Sequence, residues 1–231
     1  ALGDRPLLSY HDHNGARARP KLMQYLAQGR SVAYASEAGT PLIADPGFDL
    51  SKEASNEGYL VTSAPGPTAI ATALTLAGLP TDKFMFVGFL PSTKTARVSA
   101  MEAVKDVPGT LVFYESPKRL GSMLQDAANQ LGGAREAAVC RELTKKFEEV
   151  KRGPLETLAS SYAGKSTKGE IVVLIDRDRS DSVNSVDLET ALRTALGTMS
   201  VRDAADMVAQ AHDLPRRKVY QAALALGKDM K

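Results

Sequence analysis

The sequence predicts an α/β fold, and three observations carry that prediction. Short apolar runs alternate with helix-like stretches, the pattern of parallel sheet with crossover helices. Two of these runs end in stiff Gly/Pro loops, "SEAGTPLIADPG" and "SAPGPTAIATAL", where α/β sheets hold their ligands. A polar stretch with no apolar period then precedes a separate group of about three helices.

The apolar runs are four to seven residues long and rich in Val, Ile, Phe or Tyr. They are Ser31–Ser36, Tyr59–Ala64, Phe84–Gly88, Thr110–Glu115, Ala137–Glu142 and Glu170–Asp176, each expected as a buried strand. Glu148–Gly153 is a further candidate strand that would make the second sheet mixed. Pro20 suits a first helical position, followed by Leu22, Tyr25 and Leu26 on one face until Gly29 ends the helix. Ser116 and Pro117 form an N-cap and first position for a helix running to Gly132-Gly133. Gly and Pro in Ala77–Phe84 interrupt both periodicities and mark a domain junction. The polar stretch Asp176–Ser185 marks a second. The expected domains are therefore 1–80, 81–178 and a helical 185–231. Within the last, Ser200 caps a helix with Asp203 as its capping acid, and Val201, Ala204, Ala205 and Val208 form its apolar face. The turn Asp213–Pro215 leads to a final helix with Val219, Ala223 and Leu226 inward.

Length and composition bound the function. With 231 residues the chain can bury a sizeable core, and 43% hydrophobic with 24% charged residues is a globular composition. No apolar run approaches the roughly 18 residues of a membrane span. The lone Cys140 excludes an internal disulfide and fits a reducing cytoplasm, and its strand pattern suits packing more than nucleophilic attack. A net charge of +2 does not by itself argue for nucleic acid.

Candidate ligand positions follow from the loops. Gly39 lets backbone approach a ligand, Pro41 and Pro46 stiffen the loop, and Thr40 offers a hydroxyl. Pro65-Gly66-Pro67 makes a stiff turn, after which Thr68 and Ala69 open a helix with unpaired amides. Neither loop is a Walker or G-x-G-x-x-G motif. The alternative reading of each is an ordinary strand–helix connection. "CRELTKKFEE" concentrates charge at a strand end, and "FYESPKRL" sets Glu115, Ser116 and Arg119 at another; a solvated hairpin and a plain helix cap are the alternatives. "HDHN" has an H-x-H spacing, but the remaining His212 is far along the chain, so no metal is expected.

"SEAGTPLIADPG", "APGPTAIATALTLAGLPTDKFMFVGFLP", "FYESPKRL", "RELTKKFEE" and "KGEIVVLI" occur in the order and spacing of one family. From His11 to the tail the chain resembles the bacterial ribosomal RNA small subunit methyltransferase I family, in the tetrapyrrole methylase superfamily. The resemblance implies two α/β domains of tetrapyrrole methylase type with S-adenosylmethionine in the cleft between them. It implies 2′-O-methylation of a cytidine ribose in the decoding region of small-subunit ribosomal RNA. Ala38, Gly39, Thr40, Pro41 and Asp45 match the family's cofactor-side loop, and Pro65, Gly66, Pro67, Thr68 and Ala69 the opposite wall. Glu115, Ser116 and Arg119 match a cleft motif, as do Arg141, Glu142, Leu143 and Lys145, and Lys168, Gly169 and Glu170. Glu37 stands where the family usually has Asp, and Ala77 where Ser is common. The family's opening strand, a Pro-x-Gly-Asn loop and a Glu-Asp-Thr-Arg stretch would precede Ala1. The complete protein is therefore expected to carry roughly 40–50 further residues there.

A methyl transfer needs a positioned acceptor and a proton acceptor for the ribose hydroxyl. Glu142, Lys145 (given a burial that lowers its pKa) and the His11/His13 pair are the candidates. His11, Arg119 and Arg141 are expected on the substrate. The last helices resemble a helix-turn-helix, with Arg216, Arg217 and Lys218 placed for RNA; a packing bundle or dimer contact is the alternative. The expected partners are small-subunit ribosomal RNA or the 30S subunit and a second copy in a homodimer. The competing functions are a tetrapyrrole or protein methyltransferase of the same superfamily, and a non-catalytic RNA-binding protein.

Overall fold

Every apolar run from Phe84 onward becomes a strand, the central ones packed on both faces and the edge strands more exposed. The computed structural model describes residues 5–179, 185–212 and 214–229. The middle of the second junction and Asp213 of the last turn lie outside the described residues. The chain divides into two compact units, Ala1–Arg177 and Asp178–Lys231.

In the first unit, β1 (Phe84–Phe89), β2 (Thr110–Glu115), β3 (Glu136–Arg141), β4 (Glu149–Pro154) and β5 (Ile171–Ile175) form one sheet in the order β1-β2-β5-β3-β4. Only β1 and β2 run parallel; β5 is antiparallel to both β2 and β3, and β4 to β3, so the parallel sheet expected from strand–helix alternation is mixed through β5 as well as through the extra strand. Alternation splits the strands between two cores. Leu111, Phe113, Val139 and Val173 face α4 (Lys94–Glu102), α5 (Leu120–Leu131) and α6 (Leu155–Tyr162). Val112, Ala138, Cys140, Val172 and Leu174 face α3 (Ala69–Ala77) through Ile70, Ala73 and Leu74. Burial of both faces explains the continuous apolar run in β5, which is buried at all five positions. A buried ion pair, Arg97 to Asp126 at 2.6 Å, ties α4 to α5.

The α3 helix has matching ends. The Thr68 hydroxyl accepts from the Ala71 amide, and Gly78 leaves the helix in the left-handed region at φ 72°. Arg152 donates to the Leu76 and Ala77 carbonyls at its C-terminus, joining the helix to β4.

Two expected strands do not form. Ser31–Ser36 and Tyr59–Ala64 are extended, and no ladder pairs them among the described residues. Ser31–Ser36 keeps a strand's alternation, with Val32, Tyr34 and Ser36 half-buried and the residues between them exposed. Apolar alternation specifies which side faces inward; it does not supply the neighbour that accepts the hydrogen bonds. Around these segments a small core gathers Leu22 and Met23 of α1 (Gly15–Ala27) with Leu50 and Ala54 of α2 (Phe48–Asn56).

Two helix starts also differ from expectation. α1 opens at Gly15, so Pro20 lies inside it, where its lost N–H removes one intrahelical bond. α5 opens at Leu120, because Arg119 and Leu120 first donate to the Ser116 carbonyl in a turn. The second unit holds α7 (Ser185–Leu196), α8 (Val201–Ala211) and α9 (Arg216–Asp229). Ser200 accepts from the Asp203 amide, and Ala204, Ala205, Val208, Val219 and Ala223 are buried together, as the sequence pattern requires.

Candidate functional site

A cleft of about 1690 Å³ opens in the first unit at the edge where β1, β2 and β3 end. One wall is made of the loops Ser36–Thr40 and Ile43–Pro46 and of Pro67–Ala69 at the start of α3. The other is made of Phe89, Tyr114–Pro117, Leu143–Lys145 and Gly169–Val172.

The first wall is held together by side chains. Thr40 donates its hydroxyl to the Pro67 carbonyl at 3.1 Å, and Ser36 donates to the carbonyls of Ala38 and Gly39. Gly39 has φ 72°, and a Cβ there would lie 3.6 Å from the Pro67 carbonyl oxygen. Space for a Cβ exists; the backbone conformation is what favours glycine. Leu42 (φ 70°) and Ala44 (φ 57°) are left-handed without being glycine, which marks strain in the loop.

The second wall is tied by charge. Glu142 (φ 50°) accepts the Glu170 amide at 2.9 Å and the Lys145 ammonium at 3.1 Å, and Lys145 also reaches Glu170 at 3.0 Å. Gly169 must be glycine for this, since a Cβ would sit 2.4 Å from the Glu142 side chain and its φ is 94°. The Glu170 amide, and then Lys145, hold the Glu142 carboxyl below the usual carboxylate range. Glu170, and then Glu142, push the Lys145 ammonium up. The burial that would make Lys145 a base is therefore not there: its side chain is 45% exposed and doubly paired.

Glu115 has no free carboxylate edge either. It accepts from the Ser116 amide at 2.6 Å and from Arg119 at 2.7 and 2.9 Å, while Arg119 also donates to the Leu90 carbonyl. These bonds fix the turn between β2 and α5, and pairing with Glu115 raises the Arg119 pKa further.

Of the residues singled out in the sequence, His11, Ala38, Gly39, Thr40, Asp45, Pro67, Thr68, Ala69, Glu115, Ser116, Leu143, Lys145, Gly169 and Glu170 line the cleft. Pro41, Pro65, Gly66 and Lys168 adjoin the lining without belonging to it. Glu142, Arg119 and Arg141 stand behind it in ion pairs, Arg141 with Glu149 at 3.3 Å. His13 touches His11 edge-on at 6.0 Å but is off the lining. Arg216, Arg217 and Lys218 belong to the second unit, where Arg216 is paired with Asp206.

The residues missed by the sequence reading are aromatic. Tyr10, Tyr34, Phe89 and Tyr114 all line the cleft. A bulge between Phe86 and Gly88 brings Phe89 opposite Tyr114, with ring centroids 5.6 Å apart. Burial first, then Asp45 and Glu170, pushes the Tyr114 hydroxyl up. Burial first, then Asp45, does the same for Tyr34. Their signal was visible: each is a Tyr in an apolar run just before a loop. Cys140 is fully buried, and its thiol is pushed up to about 11, as befits a packing residue.

The donor set suits a polar cation with an apolar portion. Asp45 and Glu170 supply negative charge, the open amides of the first α3 turn can meet a carboxylate, and Leu143, Phe89 and Tyr114 offer apolar surface. Among the described residues there is no cluster of three or more metal-ligating side chains, and no helix is long and apolar enough to cross a membrane.

A family model described as Tetrapyrrole (Corrin/Porphyrin) Methylases matches residues 5–159, and one described as RsmI C-terminal HTH domain matches residues 182–227. The chain is similar to ribosomal RNA small subunit methyltransferase I of Mesorhizobium japonicum, at 43% identity over 96% of this chain and 76% of that one. The same-named protein of Vibrio cholerae is 40% identical over 93% of this chain and 76% of the other. Among solved structures, the methyltransferase CobJ superposes with a TM-score of 0.56 at 17% identity, covering 78% of this chain and 77% of that one. Diphthine synthase superposes with a TM-score of 0.52 at 17% identity, covering 71% and 65%. The chain belongs to the ribosomal RNA small subunit methyltransferase I family, within the tetrapyrrole methylases.

Proposed function

We propose that this chain transfers the methyl group of S-adenosylmethionine to the ribose 2′-oxygen of a cytidine in the decoding region of small-subunit ribosomal RNA. The observation that carries the reading is the convergence of five separate segments on one cleft: Ala38–Thr40, Pro67–Ala69, Glu115–Ser116, Leu143–Lys145 and Gly169–Glu170. The names of the relatives at about 40% identity point to small-subunit ribosomal RNA as the acceptor molecule, and the family resemblance to a cytidine ribose within it. The division of residues 1–178 near residue 80 into two lobes flanking the cleft belongs to the same reading. So do a cytoplasmic location and a homodimer. Exposed Phe84 and Met85 on the edge strand β1 support a second copy as its cover, which light scattering tests.

When bound, the cofactor supplies an electrophilic methyl group on a sulfonium. Asp45 and Glu170 favour its positive charge, the α3 amides favour its carboxylate, and Thr40 keeps the two loops of that wall in register. Glu142 and Lys145 serve as a clamp that shapes the cleft wall. His11, on the lining, is the imidazole we assign to accept the ribose proton. His11→Ala should then lower kcat by about 10²-fold while leaving cofactor affinity unchanged.

The test is methyl transfer itself. The chain is incubated with S-adenosylmethionine and small-subunit particles lacking the modification, and ribose methylation is mapped along the RNA. One new 2′-O-methylcytidine supports the proposal. Transfer to a tetrapyrrole or a protein instead of RNA moves the chain to another branch of the superfamily. Cofactor binding without transfer to any acceptor leaves a non-catalytic RNA-binding role.

A further inference from the structure

The sheet edge that carries the cleft also carries an asymmetry of charge. The register aligns Glu115, Ile171, Arg141 and Glu149 in one row, with Phe89 beside Tyr114. Residues 90–94, 116–119, 142–148 and 163–170 therefore emerge along a single edge. These four segments hold seven Lys or Arg against three Glu.

The acids on this edge are committed. Glu142 and Glu170 share Lys145, and Glu148 accepts the Thr144 amide at 2.7 Å. Several of the cations are not. Lys94, Lys118, Lys146 and Lys165 are exposed, and no ion pair is found for them among the described residues. Seven cations against three glutamates, two of which share Lys145, leave a net positive strip at the cleft, with four lysines held in solvent along it. Phe147 stands in that strip with 63% of its surface exposed, and the Lys146 ammonium lies 5.6 Å from its ring centroid. An exposed Phe between Lys146 and Glu148 has no packing role on a hairpin tip. It is what a single-stranded nucleic acid uses as a stacking surface between phosphate contacts.

We propose that this edge is a docking rim for the RNA strand, with Lys94, Lys118, Lys146 and Lys165 on phosphates and Phe147 under an unpaired base. The inference rests on the RNA methyltransferase reading and adds a surface separate from Arg216, Arg217 and Lys218. It assigns backbone contact to the sheet unit itself, next to where the acceptor ribose must lie.

The experiment compares the wild-type chain, a Lys94→Ala/Lys118→Ala/Lys146→Ala/Lys165→Ala variant, and a control with Lys83→Ala and Lys105→Ala at the opposite edge. Affinity for a small-subunit ribosomal RNA transcript is measured across a salt series, and S-adenosylmethionine affinity and melting temperature are measured alongside. The four-lysine variant should bind RNA about tenfold or more weakly at roughly 0.1 M salt, with the log–log salt slope flattened by up to about 3. Its cofactor affinity and melting temperature, and the control's RNA affinity, should match wild type. Phe147→Ala should weaken RNA binding severalfold at an unchanged slope. Wild-type affinity and slope in the four-lysine variant would overturn the rim while leaving the methyltransferase reading intact. A wild-type chain that binds the cofactor but no RNA would overturn both.

Discussion

The two walls of the cleft are built by different means. The wall on the sheet adds its Glu142–Lys145–Glu170 bonds to a backbone ladder: β2 and β5 are hydrogen-bonded on both sides, and their apolar residues are buried. The wall made of residues 31–46 and 64–69 has no ladder, and hangs on the Thr40–Pro67 and Ser36 side-chain bonds and on a core of four buried residues. Leu60, in the second unpaired segment, is 93% exposed, whereas Phe113 is completely buried. A ladder spreads its stability over many bonds; a loop wall depends on few, so single changes should shape it more readily than unfold it.

The largest effect is expected behind the sheet wall, where α4 and α5 pack on the strands. Asp126→Ala strands the buried Arg97 guanidinium and should destabilise the unit by about 3–5 kcal/mol, measured by chemical denaturation. Gly169→Val comes next. It opposes φ 94° and drives a side chain into Glu142, so it should cost about 2–3 kcal/mol and weaken cofactor binding together with stability. In the loop wall, Thr40→Val should cost only about 1 kcal/mol, yet lower cofactor affinity severalfold. Equal stability losses at Thr40 and Gly169 would erase the contrast between the walls.

Smaller effects come from pH and from Cys140. The folded-state pKa of Glu142 lies below its unfolded value, so its contribution is present above the unfolded pKa and lost as pH falls through the folded one. That of Lys145 is raised, so its contribution is present below its unfolded pKa and lost as pH rises through the folded one. The clamp should hold from about pH 5 to about pH 10, and protection of the Glu170 amide, relative to its intrinsic exchange rate at each pH, should fall on either side. The Cys140 thiol, buried and raised to about 11, should resist alkylation at pH 8 until the chain is unfolded.

The same contrast explains what the sequence made legible. The strands from Phe84 to Ile175 were readable because buried parallel and central strands write their burial directly into Val, Ile, Leu and Phe. Ser31–Ser36 has the same pattern and no partner among the described residues, since pairing depends on distant chain that a local pattern does not encode. The first-wall loops were legible through their Gly and Pro, because φ 72° at Gly39 restricts the residue type, whereas Gly169, at φ 94°, entered only through the family resemblance. Roles were less so. That Glu142 and Lys145 neutralise one another depends on Glu170, which lies 28 residues from Glu142 along the chain. That Arg119 pairs with Glu115 depends on the turn closing at Ser116.

The central claim is that the loop wall, and Gly39 within it, forms half of a cofactor site. Calorimetric titration of the wild-type chain and of Gly39→Val with S-adenosylmethionine tests it most directly, with circular dichroism to verify the fold. A β-branched residue opposes the left-handed φ 72° at Gly39 and would project its side chain from the loop wall into the space a ligand would take. The expected result is one binding site in wild type and none in a folded Gly39→Val chain. Unchanged affinity in the folded variant would contradict the account and place the cofactor away from this wall.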